Sequence, residues 1–236
     1  MTALARDELA QANRILAHLG ILDAYGHVSA RLPDRADRFL ISRSLAPALV
    51  TEADLMELDL EGEPVGGDVR KPYLERFIHG AIYRARPDVQ AIVHSHSPSV
   101  IPFSVSSVRL RPVCHMGGFL GGGAPVFDIG HRFGCTDMLV RDAEQGAELA
   151  RSLGSHAAAL MRGHGFVVVG GTVQAAVYRA VYTEWNARLQ RDAISLGGDV
   201  TYLTEAEAAL ADEANAGTVE RPWQLWLREC GLNEQA

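Results

Sequence analysis

Cysteine is scarce in this chain of 236 residues, which contains only Cys114, Cys135 and Cys230. The three are odd in number, widely spaced and form no C-x-x-C pair, so they indicate neither a disulfide framework nor a thiolate zinc site. If a metal ion binds, we therefore expect nitrogen and oxygen ligands.

Positive charge is also in deficit. The chain has 22 Lys and Arg residues against 29 Asp and Glu residues, which gives a formal net charge of −7. Binding to a phosphate backbone requires a basic stripe on the protein, and no such stripe is visible in the sequence. Nucleic acid is therefore not an expected partner, and a small molecule is favoured instead.

Long apolar runs are missing as well. Beyond the first predicted helix, the longest stretch without Asp, Glu, Lys or Arg covers residues 89–108 and is rich in Ser, His and Pro. The N-terminal segment MTALARDELAQ lacks the apolar core of a signal peptide. We expect a cytoplasmic protein that has no membrane partner.

The composition is otherwise that of a folded protein, with 47% hydrophobic and 22% charged residues. A chain of this length buries a sizeable core. Because it contains no internal repeat and no obvious linker, we predict a single domain over residues 1–236, with a helical C-terminal extension from about residue 204.

Helical and β-like patterns alternate along the chain. Apolar periodicity and breakers predict a first helix within 8–22 that ends near Gly20, and further helices over 73–86, 142–154, 172–197, 204–217 and 221–230. Segments rich in β-branched and apolar residues predict strands at 28–32, 39–42, 55–60, 89–95, 125–129, 158–161 and 166–170. This order predicts an α/β fold with a central, mainly antiparallel sheet and helices on both of its faces.

The segment AIVHSHSPSV, residues 91–100, raises the possibility of a metal site. In a strand, His94 and His96 point to the same face with their backbones about 7 Å apart, a spacing that suits one ion. The pair by itself fits two separately hydrogen-bonded histidines equally well.

Two further residues extend this pattern. His164 lies between Gly163 and Gly165, which allow the backbone to turn and another group to come close, although a tight hairpin turn with an incidental histidine would look the same. Glu75 begins the predicted helix before the H-x-H strand, where the helix dipole would also favour an exposed carboxylate. Three histidines and a glutamate together match a catalytic site for one divalent ion, such as Zn, Mn, Co or Fe, with a position left open for substrate.

The strings GHVSAR, ERFIHGAIYRARPDVQAIVHSH and GHGFVVVG, in this order and spacing, resemble the class II aldolase/adducin family. The resemblance covers about residues 8–200. It implies a three-layer α/β/α fold and a homotetramer with active sites between subunits. It also implies that His94, His96 and His164 are metal ligands and that Glu75 is an acid/base or a fourth ligand. His115 occupies the position of a proton-donating tyrosine that a neighbouring subunit contributes in the family's aldolases.

The sequence departs from the phosphate-binding segments of the sugar-phosphate aldolases. The corresponding strings are GHVS from residue 26, SRSL from residue 42 and YLE from residue 73, and most of the phosphate cradle is missing. Arg43 offers a planar guanidinium suited to a carboxylate, although it could also lie in an exposed basic turn. We expect Ser29 and Ser44 to donate hydrogen bonds to the substrate.

A narrower resemblance fits these departures. The strings ISRSLAP, HSHSPSVIPFSV, RPVCHMGGFLGGGAPVFDI and AVYTEWNARLQ are similar to a decarboxylase branch that acts on 3,4-dihydroxyphthalate or hydroxy-carboxymuconic semialdehydes in aromatic compound degradation. The resemblance implies a carbon–carbon lyase that decarboxylates a small hydroxy-substituted carboxylate. An aldolase acting on a hydroxyketone is the alternative, because both reactions leave a carbanion that a Lewis acid stabilises. A non-catalytic, adducin-like scaffold is a third, less favoured possibility.

Overall fold

The structure is a computed structural model that describes residues 3–232. Seven strands form one sheet in the order β3-β2-β1-β4-β7-β6-β5. They are β1 (His27–Leu32), β2 (Arg35–Ser42), β3 (Leu55–Asp59), β4 (Ala91–Ser95), β5 (Val126–Phe127), β6 (Ala158–Met161) and β7 (Gly165–Gly170). All neighbouring pairs are antiparallel except β5 with β6. The predicted, mainly antiparallel sheet is confirmed.

The helices of the described part of the chain are α1 (Ala3–His18), α2 (Arg76–Ala85), α3 (Ile101–Ser104), α4 (Ile129–Phe133), α5 (Ala143–Leu153), α6 (Val173–Ser195), α7 (Glu205–Ala216) and α8 (Glu220–Glu229). Short 3₁₀ turns cover Pro47–Leu49, Glu52–Asp54 and His115–Leu120. Among the described residues, no helix combines the length and apolar character needed to cross a bilayer.

Two hydrophobic cores lie on opposite faces of the sheet. Alternate residues of a strand face opposite sides, and in β4 Val93 packs with α1, α6 and α8 whereas Ile92 packs with α2 and α5. The same alternation continues in β7, where Val168 joins the first core and Val167 joins the second. The structure therefore has the predicted three layers, α/β/α.

Local sequence explains where several helices begin. The side chain of Asp142 accepts a hydrogen bond from the Gln145 amide at the start of α5, and Gly154, whose φ is +53°, follows the last residue of α5. Thr204 and Glu207 form a capping box at the start of α7. Helix α8 buries the side chain of Trp223 in the first core.

Some predicted boundaries are wrong. The strand predicted over 125–129 is shortened to two residues, because the Asp128 carboxylate accepts from the Gly130 amide at 2.9 Å and begins α4. The first helix begins at Ala3 rather than at residue 8, and it ends at His18, close to the predicted end near Gly20, where the chain turns with a φ of +68°. The helix predicted over 73–86 begins only at Arg76, which leaves Glu75 at its N-cap position.

Candidate metal centre

Four side chains from separate parts of the fold converge on one point. His94 lies in β4 and His96 directly after it, Glu75 precedes α2, and His164 lies in the turn between β6 and β7. One potential ligand atom from each lies within 4.8 Å of the other three. The structure thus brings together all four residues of the predicted centre, and their role as ligands stays a prediction.

Backbone pairing holds His164 against the H-x-H strand. Strands β4 and β7 pair with Ser95 opposite Phe166, which places the β6–β7 turn beside the end of β4. Gly163 has a φ of +65°, a conformation that favours glycine, and a Cβ at Gly165 would collide with the Ser95 carbonyl. Gly163 therefore allows the turn, and Gly165 allows the close approach to β4, as the sequence indicated.

The distances inside the cluster are short. The His96 Nε2 atom lies 3.1 Å from Nε2 of both His94 and His164. The Glu75 Oε2 atom lies 3.5 Å from His94 Nε2 and 3.3 Å from His164 Nε2. Its other oxygen, Oε1, accepts a hydrogen bond from the Val140 amide at 2.9 Å. The carboxylate is thereby held with one oxygen facing the imidazoles.

Backbone carbonyls settle which nitrogen of two histidines carries the proton. His94 Nδ1 lies 3.1 Å from the Phe166 carbonyl oxygen, and His164 Nδ1 lies 2.9 Å from the Met138 carbonyl oxygen. Because a carbonyl only accepts, both Nδ1 atoms must donate. When each neutral ring carries this single proton, its Nε2 presents a lone pair to the cluster.

The Asp23 carboxylate holds the Nδ1 proton of the third histidine, His96. Both of its carboxylate oxygens lie 3.1 Å from His96 Nδ1, and Oδ1 also accepts from the Tyr25 and Gly26 amides at 2.8 and 2.9 Å. Carboxylates and carbonyls that hold the second nitrogen are typical of metal-binding histidines. Asp23 was not identified from the sequence, although an aspartate three residues before Gly26 is a recognisable turn signal.

The donor set fits a divalent cation. The Nε2 lone pair of His96 faces those of His94 and His164 at 3.1 Å, beside an ionised carboxylate, and these groups repel one another unless a proton or a metal ion lies between them. Three imidazoles and a carboxylate form a familiar catalytic site for Zn and related ions.

Burial and mutual charge shift the pKa values of these groups. Burial, together with the nearby His94, lowers the pKa of His96 to about 4, while Asp23 opposes the shift. Burial would raise the pKa of Glu75, but His164 and His94, when their rings are protonated, donate to its carboxylate and attract its charge, which outweighs burial and holds this pKa below the usual range. Burial would lower the pKa of His164, yet its hydrogen bond with Glu75 raises it. A metal ion would compete with this proton for the same nitrogen.

A cavity of about 400 Å³ opens beside the cluster. Its volume lies within the range of small-molecule sites. The lining residues are Tyr25, His27, Ser44, Lys71, Tyr73, Leu74, Glu75, His96 and Leu139. Lys71 is the cation among them, and it is the one lysine in the chain. The sequence analysis did not single it out.

The predicted substrate-binding residues lie in different surroundings. Ser44 lines the cavity, and its amide donates to the Lys71 carbonyl at 2.8 Å. Arg43 instead donates from Nε to Asp54 Oδ1 at 2.8 Å. Ser29 is fully buried, with its hydroxyl next to His79 rather than in the cavity. Of the three, the described structure therefore places only Ser44 at the cavity wall.

His115 is exposed in a 3₁₀ turn, and its carbonyl accepts from Asn215 Nδ2 at 3.0 Å. It is not among the described residues that line the cavity. The structure of one chain therefore does not bring His115 to the metal-ligand cluster.

We predict that Asp23→Asn weakens zinc binding by about 10- to 100-fold, the usual effect of losing a group that orients a histidine ligand. The amide oxygen still accepts from the Tyr25 and Gly26 amides, so the loop should keep its conformation. The measurement is competition for zinc with a chelator of known affinity. Asp37→Asn is the control, since Asp37 is exposed and pairs with Arg35. Unchanged affinity in Asp23→Asn would contradict the prediction.

Comparison with known proteins identifies relatives over nearly the whole chain. A family model described as the class II aldolase and adducin N-terminal domain matches residues 7–191. The decarboxylase tropJ of Talaromyces stipitatus is 40% identical over 91% of this chain and 90% of its own length. The 3,4-dihydroxyphthalate decarboxylase of Arthrobacter keyseri is 30% identical over 93% and 91%, respectively. The solved L-fuculose 1-phosphate aldolase of Glaciozyma antarctica superposes with a TM-score of 0.78 at 27% identity, covering 97% of this chain and 90% of that chain.

Proposed function

This chain belongs to the class II aldolase and adducin family, and from that premise we propose that it is a metal-dependent decarboxylase. The proposed substrate is a hydroxy-substituted aromatic or muconic-semialdehyde carboxylate, the class that includes 3,4-dihydroxyphthalate. This proposal rests on one observation: three imidazoles and a carboxylate converge beside a cavity that is lined by Lys71. Sequence identities of 40% and 30% to two decarboxylases, each over about nine-tenths of the chain, support a lyase activity.

We propose that His94, His96 and His164 hold one divalent ion, which is Zn, Mn, Co or Fe. Glu75 acts as a fourth ligand or as the acid/base. The bound ion supplies Lewis-acid stabilisation of negative charge that develops on the substrate. Asp23 and the carbonyls of Phe166 and Met138 keep the imidazoles oriented for this task.

Lys71 and Ser44 are the proposed anchors for a substrate carboxylate. Both line the cavity, and a lysine ammonium supplies a point charge that attracts a carboxylate. Arg43, the anchor predicted from the sequence, would have to give up its contact with Asp54 to reach the same group. Lys71 is therefore the stronger candidate.

In the proposed reaction the bond between a ring or dienolate carbon and its carboxylate breaks and CO2 leaves. The electron pair stays on the carbon, which then takes up a proton. Glu75 and His115 are the proposed donors, since both are residue types used for general acid catalysis. Because His115 is exposed and lies outside the cavity of its own chain, we propose that it serves a neighbouring subunit in a homotetramer.

Aldol cleavage of a hydroxyketone is the second candidate, and the structural similarity to an L-fuculose 1-phosphate aldolase favours it. The departures from the aldolase phosphate-binding segments count against a phosphorylated substrate. A non-catalytic scaffold would not need to retain the four clustered side chains.

The test is to incubate zinc-, manganese- or cobalt-loaded protein with ortho-hydroxy aromatic carboxylates, muconic semialdehyde carboxylates and hydroxyketone phosphates. We expect CO2 release from a carboxylate. Release of an aldehyde instead would identify an aldolase, and no turnover with any metal would refute the enzymatic proposal.

We predict that Lys71→Met raises KM by about 10- to 100-fold, because a hydrogen bond to a charged group contributes about 1.5 to 3 kcal/mol. Steady-state kinetics with the substrate found above measures the effect. Arg38→Met is the control, since Arg38 pairs with Glu57 outside the cavity. An unchanged KM in Lys71→Met together with a raised KM in Arg43→Met would make Arg43 the anchor.

A further inference from the structure

A chain of buried hydrogen bonds leads from the second hydrophobic core to the cavity. The Tyr83 hydroxyl lies 2.8 Å from Ser29 Oγ, and Ser29 Oγ lies 2.6 Å from His79 Nδ1. His79 Nε2 in turn lies 2.7 Å from His27 Nδ1. All four side chains are at most 2% exposed. The chain joins strand β1 to helix α2 directly behind the cluster.

The protons in this chain can be arranged in two directions. If Tyr83 donates to Ser29 and Ser29 donates to His79 Nδ1, then His79 donates from Nε2 to His27 Nδ1. The single proton of His27 must then be on Nε2. In the opposite direction His27 donates from Nδ1, and the proton of the Tyr83 hydroxyl is left over at the buried end.

The two directions differ in whether every buried N–H and O–H group has a hydrogen-bond acceptor, and this decides between them. Among the described residues, the Tyr83 hydroxyl has Ser29 Oγ as its hydrogen-bond partner, and a buried donor without an acceptor is unfavourable. The first direction gives every buried proton an acceptor. Its one remaining donor, His27 Nε2, belongs to a residue that lines the cavity.

The surroundings of His27 fit a role as donor to a ligand. Its ring packs 4.6 Å from the Tyr73 ring and 5.0 Å from the His94 ring, measured between centroids. Its Nε2 makes no hydrogen bond with residues 3–232, whereas Nδ1 is occupied by His79. A ring held in this way presents one unused polar atom beside the cluster.

We infer that Tyr83, Ser29 and His79 hold His27 as the Nε2–H tautomer, so that the cavity contains a fixed neutral donor for an anionic oxygen of the substrate. Tyr83, Ser29 and His79 are then positioning residues that act through His27. The identity of the oxygen, a carboxylate or a phenolate, rests on the proposed function. A preoriented donor of this kind stabilises negative charge without reorganisation during the reaction.

The arrangement also explains why Ser29 lies away from the cavity. Its hydroxyl is the donor to His79, and as a hydroxyl it accepts from Tyr83 at the same time. Ser29 would therefore contribute to substrate binding indirectly, through His79 and His27, in place of the direct hydrogen bond expected from the sequence.

Neutron diffraction from perdeuterated, zinc-loaded crystals tests the tautomer without any substrate. We expect deuterium on Nε2 of both His27 and His79, with the Ser29 deuterium directed at His79. Deuterium on His27 Nδ1 would overturn the inference. Because no turnover is measured, this result is independent of whether the protein releases CO2.

Nitrogen NMR of histidine-labelled, zinc-loaded protein tests the positioning residues. Ser29→Ala removes the donor to His79 and should convert the His27 signals to a mixture of tautomers, and Ser29→Thr should restore the single tautomer. Ser42→Ala is the matched control, because it removes a buried hydroxyl that bonds to Tyr73 instead. A single Nε2–H tautomer in Ser29→Ala would contradict the positioning role, and if that variant does not fold, the neutron result decides.

Discussion

Replacing His164 by alanine is expected to remove bound zinc from the protein and to lower kcat/KM by about 10³-fold or more. A catalytic metal ion contributes several kcal/mol to the stabilisation of a charged transition state, and each 1.36 kcal/mol is about tenfold in rate. The two remaining Nε2 atoms of the cluster, on His94 and His96, form an incomplete set with Glu75. Metal analysis of the purified variant, together with kinetics in excess zinc, measures both effects.

The fold should survive this substitution. Gly163 and Gly165 carry the backbone requirements of the turn, and the His164 ring contributes a hydrogen bond from Nδ1 to the Met138 carbonyl. The melting temperature of the His164→Ala variant should therefore be close to that of the wild-type protein after its metal has been removed with a chelator. His131→Ala, at an exposed histidine of α4, should retain zinc and activity. Full zinc content and activity in His164→Ala would refute the assigned centre.

Replacing Glu75 by glutamine is expected to lower kcat by about 10²- to 10⁴-fold, the contribution typical of a group that transfers a proton. Glutamine has nearly the same volume and keeps an oxygen that accepts from the Val140 amide. It carries no charge and does not exchange a proton at neutral pH. The loss therefore reports on the carboxylate itself rather than on packing.

Zinc affinity in Glu75→Gln separates the two roles proposed for this residue. Weaker zinc binding together with lower kcat would make Glu75 a ligand, whereas unchanged binding with lower kcat would make it the acid/base. Glu57→Gln provides the comparison, because Glu57 is an ion-paired glutamate of β3 outside the cavity. Wild-type activity in Glu75→Gln would exclude both roles.

Most of the cluster could be predicted because its residues obey short-range rules. The two-residue period of a strand predicts His94 and His96 on one face, although β4 ends at Ser95, and the glycines around His164 indicate a close approach. Glu75 precedes a helix that Pro87 brings to an end. These local rules, combined with the family resemblance, led to the same four residues that the structure brings together.

The surroundings of the cluster depend on contacts between distant segments. Asp23 meets His96 across 73 positions, and His79 meets His27 across 52. Strand β1 pairs with β4 so that His27 lies opposite His94, a register that no local pattern specifies. Asp23, the place of His27 at the cavity wall and the hydrogen-bond chain behind it were therefore out of reach of sequence patterns.

Arg43 and Lys71 show the same difference between what residue type predicts and what long-range contacts decide. Residue type alone favoured Arg43 as a carboxylate anchor, because a guanidinium matches a carboxylate in shape and charge. The folded chain pairs Arg43 with Asp54 and leaves Lys71 at the cavity wall. The periodicity and chemistry of neighbouring residues predicted the mainly antiparallel sheet and suggested the metal-binding candidates, and the family resemblance added the three-layer arrangement. Strand register and long-range ion pairing decided which other side chains line the cavity, because those contacts form only when distant segments pack together.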